Sequence, residues 1–232
     1  MNVFLDKGID FIIGFLASLF VVFVVLLIER SKRPKIEVDI ETIPPITKSG
    51  QSAVNRKFLR VAVHNRRLNK FLDIFYTREP ALNCQAWITF LHEDNTLVFS
   101  KGHRMQGRWS RTPEPITLAF TEKNVIQYLD TRVTTDSIDI PPNSFEYLDT
   151  VMRPENSDTC IGWHNGIIEN PDPKAQDSFD LSKGRYHILI QIRTGGRDYR
   201  RVFRLVNDGS FDHFRLENLT AQPKIDTAYM GI

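Results

Sequence analysis

The chain lacks the short motifs that mark common catalytic sites. It has six histidines but no H-x-H or H-E-x-x-H spacing. It also lacks a G-x-S-x-G nucleophile elbow, a Gly-rich phosphate loop ending in Lys-Ser/Thr, and a G-x-G-x-x-G turn. No pattern in the sequence selects a catalytic triad assembled from distant residues. We therefore expect a protein that is not an enzyme and that carries no cofactor.

Cysteine is also scarce, since only Cys84 and Cys160 are present. No C-x-x-C pair or nearby Cys/His set offers a metal site. A secreted β-sandwich can pair two cysteines across its sheets, whereas a cytosolic one keeps them as buried thiols. The apolar neighbours of Cys84 in "NCQAWITF" favour a buried thiol.

One long run has no charge, from Phe11 to Ile28. As a helix it spans about 27 Å, close to the roughly 30 Å hydrocarbon core of a bilayer. A cleaved signal peptide is disfavoured, because the start carries Asp6 and Asp10 and the run ends without an A-x-A site. We predict a transmembrane helix at residues 11–30, after a short extracytoplasmic segment at residues 1–10.

Basic residues flank this run unequally. Only Lys7 precedes it, and a basic juxtamembrane linker (31–35) follows. Four cations lie within six positions after the run: Arg30, Lys32, Arg33 and Lys35. Because the positive flank tends to stay in the cytoplasm, we predict a single-pass protein of the cell membrane with its amino terminus outside and its body cytoplasmic.

The rest of the chain (36–232), the body, is predicted to form one β domain of about 200 residues. Residues 1–35 hold five of the 30 basic and three of the 28 acidic side chains, so the body is formally neutral. This charge balance argues against nucleic acid as a partner. Apolar residues alternate along several stretches, as is typical of half-buried strands. The predicted inward sets are Ile36, Val38 and Ile40; Leu59, Val61 and Val63; and Cys84, Ala86, Ile88 and Phe90.

The last hairpin is the clearest element. "GRYHILIQIRTGGRDYRRVFRLV" predicts two strands around Gly195 and Gly196, with Arg193 facing Asp198.

Two other segments fit a sandwich poorly. We expect residues 66–80 to carry a short helix or an edge element, and residues 165–184 to form a surface loop.

The segment 138–206 resembles an immunoglobulin-like sandwich in architecture. "DLSKGRYHILIQI" is similar to the penultimate strand of such domains, where a tyrosine, here Tyr186, often forms a tyrosine corner. "IDIPPNSFEYLDTVM" is similar to the segment before it, which implies that Phe145, Tyr147 and Leu148 pack inward. The antibody-type Cys…Trp…Cys spacing is absent. The resemblance implies an antiparallel immunoglobulin-like β-sandwich behind one transmembrane helix, and it names no specific family.

Basic residues cluster at 56–70, 101–111 and 193–204, whereas 130–180 holds eleven acids against three bases. Such segregation suits anionic lipid head groups, a nucleotide or phosphate held by arginine forks, or self-association of a basic with an acidic face. The structural alternative is solvated strand faces whose charges pair with neighbouring strands.

The stretch "GRWSRTPEPI" places Trp109 between Arg108 and Arg111. Tryptophan flanked by arginine is enriched at interfaces, but the structural alternative, which we favour, is a core aromatic. Trp163 and His164 present the same choice. The candidate residues for binding a partner or ligand are Arg108, Trp109, Arg111, Arg197, Arg200 and Arg201.

Gly14 and Ser18 lie four residues apart, so both fall on one face of the predicted helix. Small residues in this arrangement let helices approach closely, which makes these two candidates for helix–helix packing.

Taken together, these patterns predict a membrane-anchored, non-catalytic module. Its cytoplasmic sandwich engages a protein partner or a second copy of itself next to the lipid bilayer. The alternative is a membrane sensor whose sandwich binds a small anionic ligand, such as a nucleotide signal, and rearranges the transmembrane helices.

Overall fold

The computed structural model describes residues 2–40, 46–49, 55–69, 72–99, 104–112, 116–122, 125–131, 134–169 and 179–223. One long helix precedes a set of antiparallel strands. The fold class predicted from the sequence, mainly antiparallel β structure behind one apolar helix, is therefore confirmed.

The first helix, α1, runs from Asn2 to Lys32. It is longer than the predicted 11–30 at both ends, so part of the predicted linker is helical. Within it, Phe11–Lys32 is long and apolar enough to cross a membrane, and none of that window is buried against the rest of the described chain. Glu29 and Lys32 form an ion pair at 2.9 Å in the last turn.

The first sheet is antiparallel and follows the order β1-β3-β10-β11-β12, with β2 on β3 and β6 on β10. Its strands are β1 (Ile36–Asp39), β2 (Ile46–Ser49), β3 (Asn55–Asn65), β6 (Arg108–Trp109), β10 (Phe145–Pro154), β11 (Cys160–Gly162) and β12 (Asp180–Leu181). Strands β3 and β10 pair along most of their length, with a register shift between Asp149 and Val151.

The second sheet follows the order β15-β14-β13-β4-β5, with β9 on β4. Its strands are β4 (Ala81–Leu91), β5 (Met105–Gln106), β9 (Ser137–Ile140), β13 (Gly184–Thr194), β14 (Arg197–Asn207) and β15 (Arg215–Asn218). A separate antiparallel pair joins β7 (Ile116–Glu122) to β8 (Val125–Thr131).

The predicted last hairpin is confirmed, including its register. Strands β13 and β14 place Arg193 opposite Asp198, and the turn between them is Gly195-Gly196. Both glycines adopt positive φ, at +53° and +74°, which other residues reach only with strain.

The two sheets share one hydrophobic core, to which the long strands β3, β4 and β13 contribute alternate residues. The predicted inward sets on β3 and β4 lie in it, and Ile40 packs against its margin. Strand β13 contributes Ile188, Ile190 and Ile192, all fully buried. Burial of these apolar side chains, at about 25 cal/mol per Å², is the main force that holds the sheets together.

The predicted inward packing of "FEYL" was wrong in part. Leu148 is fully buried, but Phe145 is 41% exposed and Tyr147 is only half-buried. Leu148 pairs with the core residue Val61, so the pleat turns the two aromatic residues to the other face. There the two aromatic rings stack edge-on, with centroids 5.0 Å apart.

The two irregular segments also differ from the predictions in detail. Within 66–80, the predicted short helix is a single 3₁₀ turn at Leu72–Ile74. The predicted surface loop at 165–184 begins instead with a helix, α2 (Asn165–Glu169), whose Ile167 and Ile168 are buried. Residues 170–178 of that prediction lie outside the described residues.

Both cysteines are buried free thiols. Burial raises the pKa of Cys84 from its ordinary 9.0 to about 11 and the pKa of Cys160 to about 12. The folded thiols therefore stay protonated well above the pH at which unfolded thiols ionise.

We expect neither cysteine to react with iodoacetamide in the folded chain at about pH 8, and both to react after denaturation, because the thiolate is the nucleophile. The raised pKa values also make the free energy of unfolding depend on pH. The contribution of the two protonated thiols is fully present below pH 9, where unfolded thiols are protonated too, and it is lost as the pH rises toward about 11 and 12. Mass spectrometry of labelled protein measures the reactivity, and modification of the folded chain at either site would contradict the assigned burial.

Candidate functional site

The outer face of the second sheet carries a cluster of arginines around one tryptophan. Trp87 on β4 lies on this face because its neighbours Ala86 and Ile88 point into the core. The guanidinium carbon of Arg104, just before β5, lies 3.9 Å from the centroid of the Trp87 ring, and that of Arg193 on β13 lies at 5.5 Å. Both distances are within the range of cation–π attraction.

A single carboxylate holds part of this cluster in place. Asp198 accepts hydrogen bonds from Arg193 Nε at 3.0 Å and from Gln191 Nε2 at 2.9 Å. Arg200 pairs with the same carboxylate at 3.6 Å. The hydrogen bond from Arg193 is the largest cause that lowers the pKa of Asp198 below its usual range. We call these six residues the Arg–Trp surface: Trp87, Arg104, Gln191, Arg193, Asp198 and Arg200.

The Arg–Trp surface carries three arginines against one aspartate, and the arginines are close enough to affect one another. The pKa of Arg104 is lowered, first by partial burial and then by the positive charges of Arg193 and Arg200. Arg193 and Arg200 are exposed, and Trp87 is half-exposed. Arginine forks bind carboxylates and phosphates in two-point geometry, and a flat aromatic surface adds apolar contact area. The arrangement suits recognition of an acidic surface.

The predicted hairpin arginines are divided by the pleat of β14. Arg200 lies on the Arg–Trp surface, and Arg197 is exposed beside the turn. Arg201 lies on the opposite face of the strand, across from Ile190. The binding role of Arg197 and Arg201 stays a prediction, and only Arg200 has other cations beside it in the cluster described above.

Sequence reasoning missed Trp87 as a site residue, and it placed Arg104 and Arg193 in basic clusters without naming them among the binding candidates. A signal for Trp87 was present, because the alternation that buries Ala86 and Ile88 turns the residue between them outward. Arg104 has no such signal, because its neighbours come from strands far away in the sequence.

The other predicted cluster is mostly buried. Trp109 is fully buried in the core shared by the two sheets. Arg108 donates from one terminal nitrogen to Asp149 Oδ2 at 2.8 Å and from the other to the Thr112 carbonyl at 3.0 Å. Arg111 is exposed and pairs with Glu146. The placement of Arg108 and Trp109 fits the structural alternative.

Asp149 is the centre of a buried charge network on the first sheet. Besides Arg108, it pairs with Arg60 and accepts a hydrogen bond from Ser110 Oγ at 3.0 Å. Asp149 and Arg108 are both almost completely inaccessible. The network fastens the short strand β6 onto β10, where Asp149 lies opposite Arg108.

Trp163 and His164 also lie among packed side chains. The Trp163 ring lies edge-on to Phe58, with centroids 5.4 Å apart. His164 is buried against Phe179, and its Nδ1 accepts a hydrogen bond from the Gly166 amide at 3.1 Å. Burial lowers the pKa of His164 to about 4, so this histidine is neutral at physiological pH.

In the described part of the chain, the basic clusters at 101–111 and 193–204 meet on the outer face of the second sheet. Arg104, of the cluster at 101–111, lies beside Arg193 and Arg200, of the cluster at 193–204. The cluster at 56–70 is dispersed. Arg60 shares Asp149 with Arg108 in the buried network, Lys57 donates to the carbonyls of Phe211 and Asp212, Arg66 pairs with Glu37, and Arg67 pairs with Asp73.

No family model, curated protein or solved structure matches this chain. Among the described residues, no group of three His, Cys, Asp or Glu side chains is placed to hold a metal ion.

The predicted helix-packing pair has a local hydrogen bond of its own. Ser18 Oγ donates to the Gly14 carbonyl at 2.8 Å, which satisfies the hydroxyl inside the helix. The space around Gly14 is open, since a Cβ there would meet nothing within 4 Å. Helix–helix packing through these residues stays a prediction.

Replacing Asp149 with asparagine is expected to lower the free energy of unfolding by about 3–5 kcal/mol, because the Arg108 charge then stays buried without its counter-ion. Urea unfolding of the full chain in detergent, followed by tryptophan fluorescence, measures this loss.

The matched control is Glu37→Gln, which removes the exposed ion pair with Arg66. Exposed pairs contribute at most about 1 kcal/mol. Equal destabilisation by the two variants would contradict a structural role for the buried network.

Proposed function

We propose that the chain is a membrane-anchored, non-catalytic binding module, and that its β domain engages an acidic protein surface through the Arg–Trp surface. The observation that carries this proposal is the cluster of three arginines around Trp87 on one sheet face, in which Arg193 and Arg200 are exposed and Arg104 and Trp87 are half-buried. Tryptophan and arginine are the residues most enriched among those that dominate binding energies at protein interfaces.

The helix α1 supplies the anchor in this proposal. Its apolar window has no burial against the described domain, as expected of a surface that faces lipid. The basic residues that follow the uncharged run favour a cytoplasmic position for the domain, next to the inner leaflet.

We also infer that the domain is an immunoglobulin-like variant. The support is the hydrogen bond from the Tyr186 hydroxyl to the Ser182 carbonyl at 3.1 Å, near the start of β13. A tyrosine corner makes this kind of bond to the backbone a few residues upstream.

A protein partner suits the surface better than a small molecule does. Small-molecule sites are usually concave and bury most of the ligand, whereas the Arg–Trp surface lies on the outer face of a sheet. The excess of two positive charges requires a partner with acidic groups. Either a second copy of this chain or a different protein satisfies that requirement, and the experiment below separates the two.

The test places a photo-crosslinking amino acid at position 193 of the full chain in native membranes. The matched control position is Arg185, which lies on the same face of β13, is exposed, and is also paired with a carboxylate, that of Asp208. We expect one discrete adduct from position 193, and its mass distinguishes a second copy from another protein.

Neutralising the surface gives the second half of this test. Arg200→Gln is expected to reduce adduct formation from position 193 severalfold, whereas Arg215→Gln, at an exposed arginine of β15, leaves it unchanged. Equal adducts from positions 193 and 185, or no effect of Arg200→Gln in a folded variant, would contradict binding at this surface.

The second candidate function is a sensor of a small anionic ligand. Burial lowers the pKa of Arg104, and repulsion by Arg193 and Arg200, which favours this candidate, lowers it further. A bound anion relieves that repulsion. The sensor hypothesis predicts that a nucleotide in a test panel raises the Tm of the purified chain by mass action, whereas the binding module is unaffected by all of them.

A further inference from the structure

The end of the β domain next to α1 is fastened to that helix by hydrogen bonds rather than joined by a free linker. Ser31 Oγ lies 2.7 Å from the Tyr76 hydroxyl, and the Glu79 amide donates to the Lys32 carbonyl at 2.7 Å. The Tyr199 hydroxyl donates to the Pro34 carbonyl at 2.8 Å. Segment 72–80 therefore lies at the level of the last turn of α1.

We define the helix-proximal end as residues 66–69 and 72–82 with the two turns beside them, 141–145 and 194–197. The turn at 141–145 belongs here because the Asn143 amide donates to the Asn65 carbonyl, and Asn65 pairs with Ile36, the first residue of β1. The turn at 194–197 belongs here because Thr194 Oγ1 donates to the Leu82 carbonyl at 2.7 Å.

Among the residues whose exposure the structure describes, the strongly exposed apolar side chains of the domain lie at this end. Outside α1, they are Ile74 at 78%, Phe75 at 69%, Leu82 at 55% and Phe145 at 41%. All four belong to the helix-proximal end. Scattered exposed apolar residues need no explanation, but several at one end of a domain mark a candidate interaction surface.

The helix-proximal end also carries three arginines. Arg66 and Arg67 are exposed, and Arg78 is half-buried and donates to the Arg33 carbonyl at 2.5 Å. Arg67 and Arg78 also line a cavity of about 240 Å³ together with Asp73 and Asn143. Apolar side chains with arginines beside them match the layering of a bilayer, in which hydrocarbon lies below anionic phosphates.

We propose that the helix-proximal end docks on the bilayer surface, with Ile74 and Phe75 inserted into the leaflet through which α1 passes and with Arg66, Arg67 and Arg78 at the level of the lipid phosphates. The occupant is the bilayer because the hydrogen bonds to residues 31–34 hold this segment beside the membrane-spanning window. This inference rests on the proposed anchoring by α1.

Docking at this end also fixes where the Arg–Trp surface lies. Arg193 lies two residues before the Gly195-Gly196 turn and Arg200 four residues after it, or roughly 7 and 13 Å from the turn at the rise of a β-strand. A partner bound there sits beside the membrane, within reach of membrane-associated proteins.

The test uses a polarity-sensitive nitrobenzoxadiazole label on single introduced cysteines in the full chain, reconstituted in phosphatidylcholine–phosphatidylserine vesicles. Thr77→Cys reports on the docking segment without removing its apolar residues. Ser18→Cys reports on the helix, and Ser210→Cys lies at the opposite end of the domain, three residues beyond β14. The native thiols are buried and do not compete for the label.

We expect lipids with a spin label near the head group to quench the Thr77→Cys label strongly, and aqueous iodide to quench the Ser210→Cys label. Adding Ile74→Asp and Phe75→Asp is expected to reduce lipid quenching at position 77 severalfold. Both residues are exposed, so these variants keep the fold, which an unchanged Tm verifies.

Two different failures are distinguishable. If spin-labelled lipids quench the Ser18→Cys label but aqueous iodide quenches the label at position 77 as fully as the label at position 210, the anchoring by α1 stands and the docking proposal is overturned. If lipids do not quench the Ser18→Cys label, the anchoring is wrong and the docking proposal falls with it. Lipid quenching at position 77 that Ile74→Asp and Phe75→Asp leave unchanged also overturns insertion of these two residues.

Discussion

The structure depends on the pairing of β13 with two neighbours at once, β14 on one side and β4 on the other. A central strand with one buried face has no freedom in register, because a slip by one residue turns every inward side chain outward. Ile188, Ile190 and Ile192 therefore define the inner face of the sheet. The outer positions of the three strands then bring Trp87, Arg193 and Arg200 side by side, so that the candidate binding surface is a direct consequence of how the core is packed.

Charges in the domain are divided between two roles by their burial. Asp149 with Arg60 and Arg108 is enclosed, so its charges are fixed between strands and are out of reach of a partner. Asp198 with Arg193 and Arg200 is exposed, so the same residue types remain accessible. The formal neutrality of the domain hides this division. A surface with an excess of positive charge steers acidic partners toward it, and a buried network contributes to the fold alone.

Much of the fold could be predicted because β3, β4 and β13 each have one mainly apolar and one mainly polar face. The prediction failed at Phe145 and Tyr147 because "FEYL" has apolar residues in both phases, and only the pairing of β10 with β3 selects one. The buried α2 was missed since its five residues are too short to show a helical period. The candidate site was found only in part. Arg200 and Arg201 are adjacent in the sequence but lie on opposite faces, whereas Arg104 approaches Trp87 through contacts between distant strands that no local pattern contains.

The central claim is that the domain works at a membrane to which α1 holds it. Its most direct test combines alkaline carbonate extraction of membranes with protease protection of the carboxyl-terminal domain, in intact and in permeabilised cells. We expect the chain to resist extraction and the domain to be cleaved only after permeabilisation. Release by carbonate would contradict the anchor, and cleavage in intact cells would contradict the cytoplasmic position and place the domain on the outer side of the membrane.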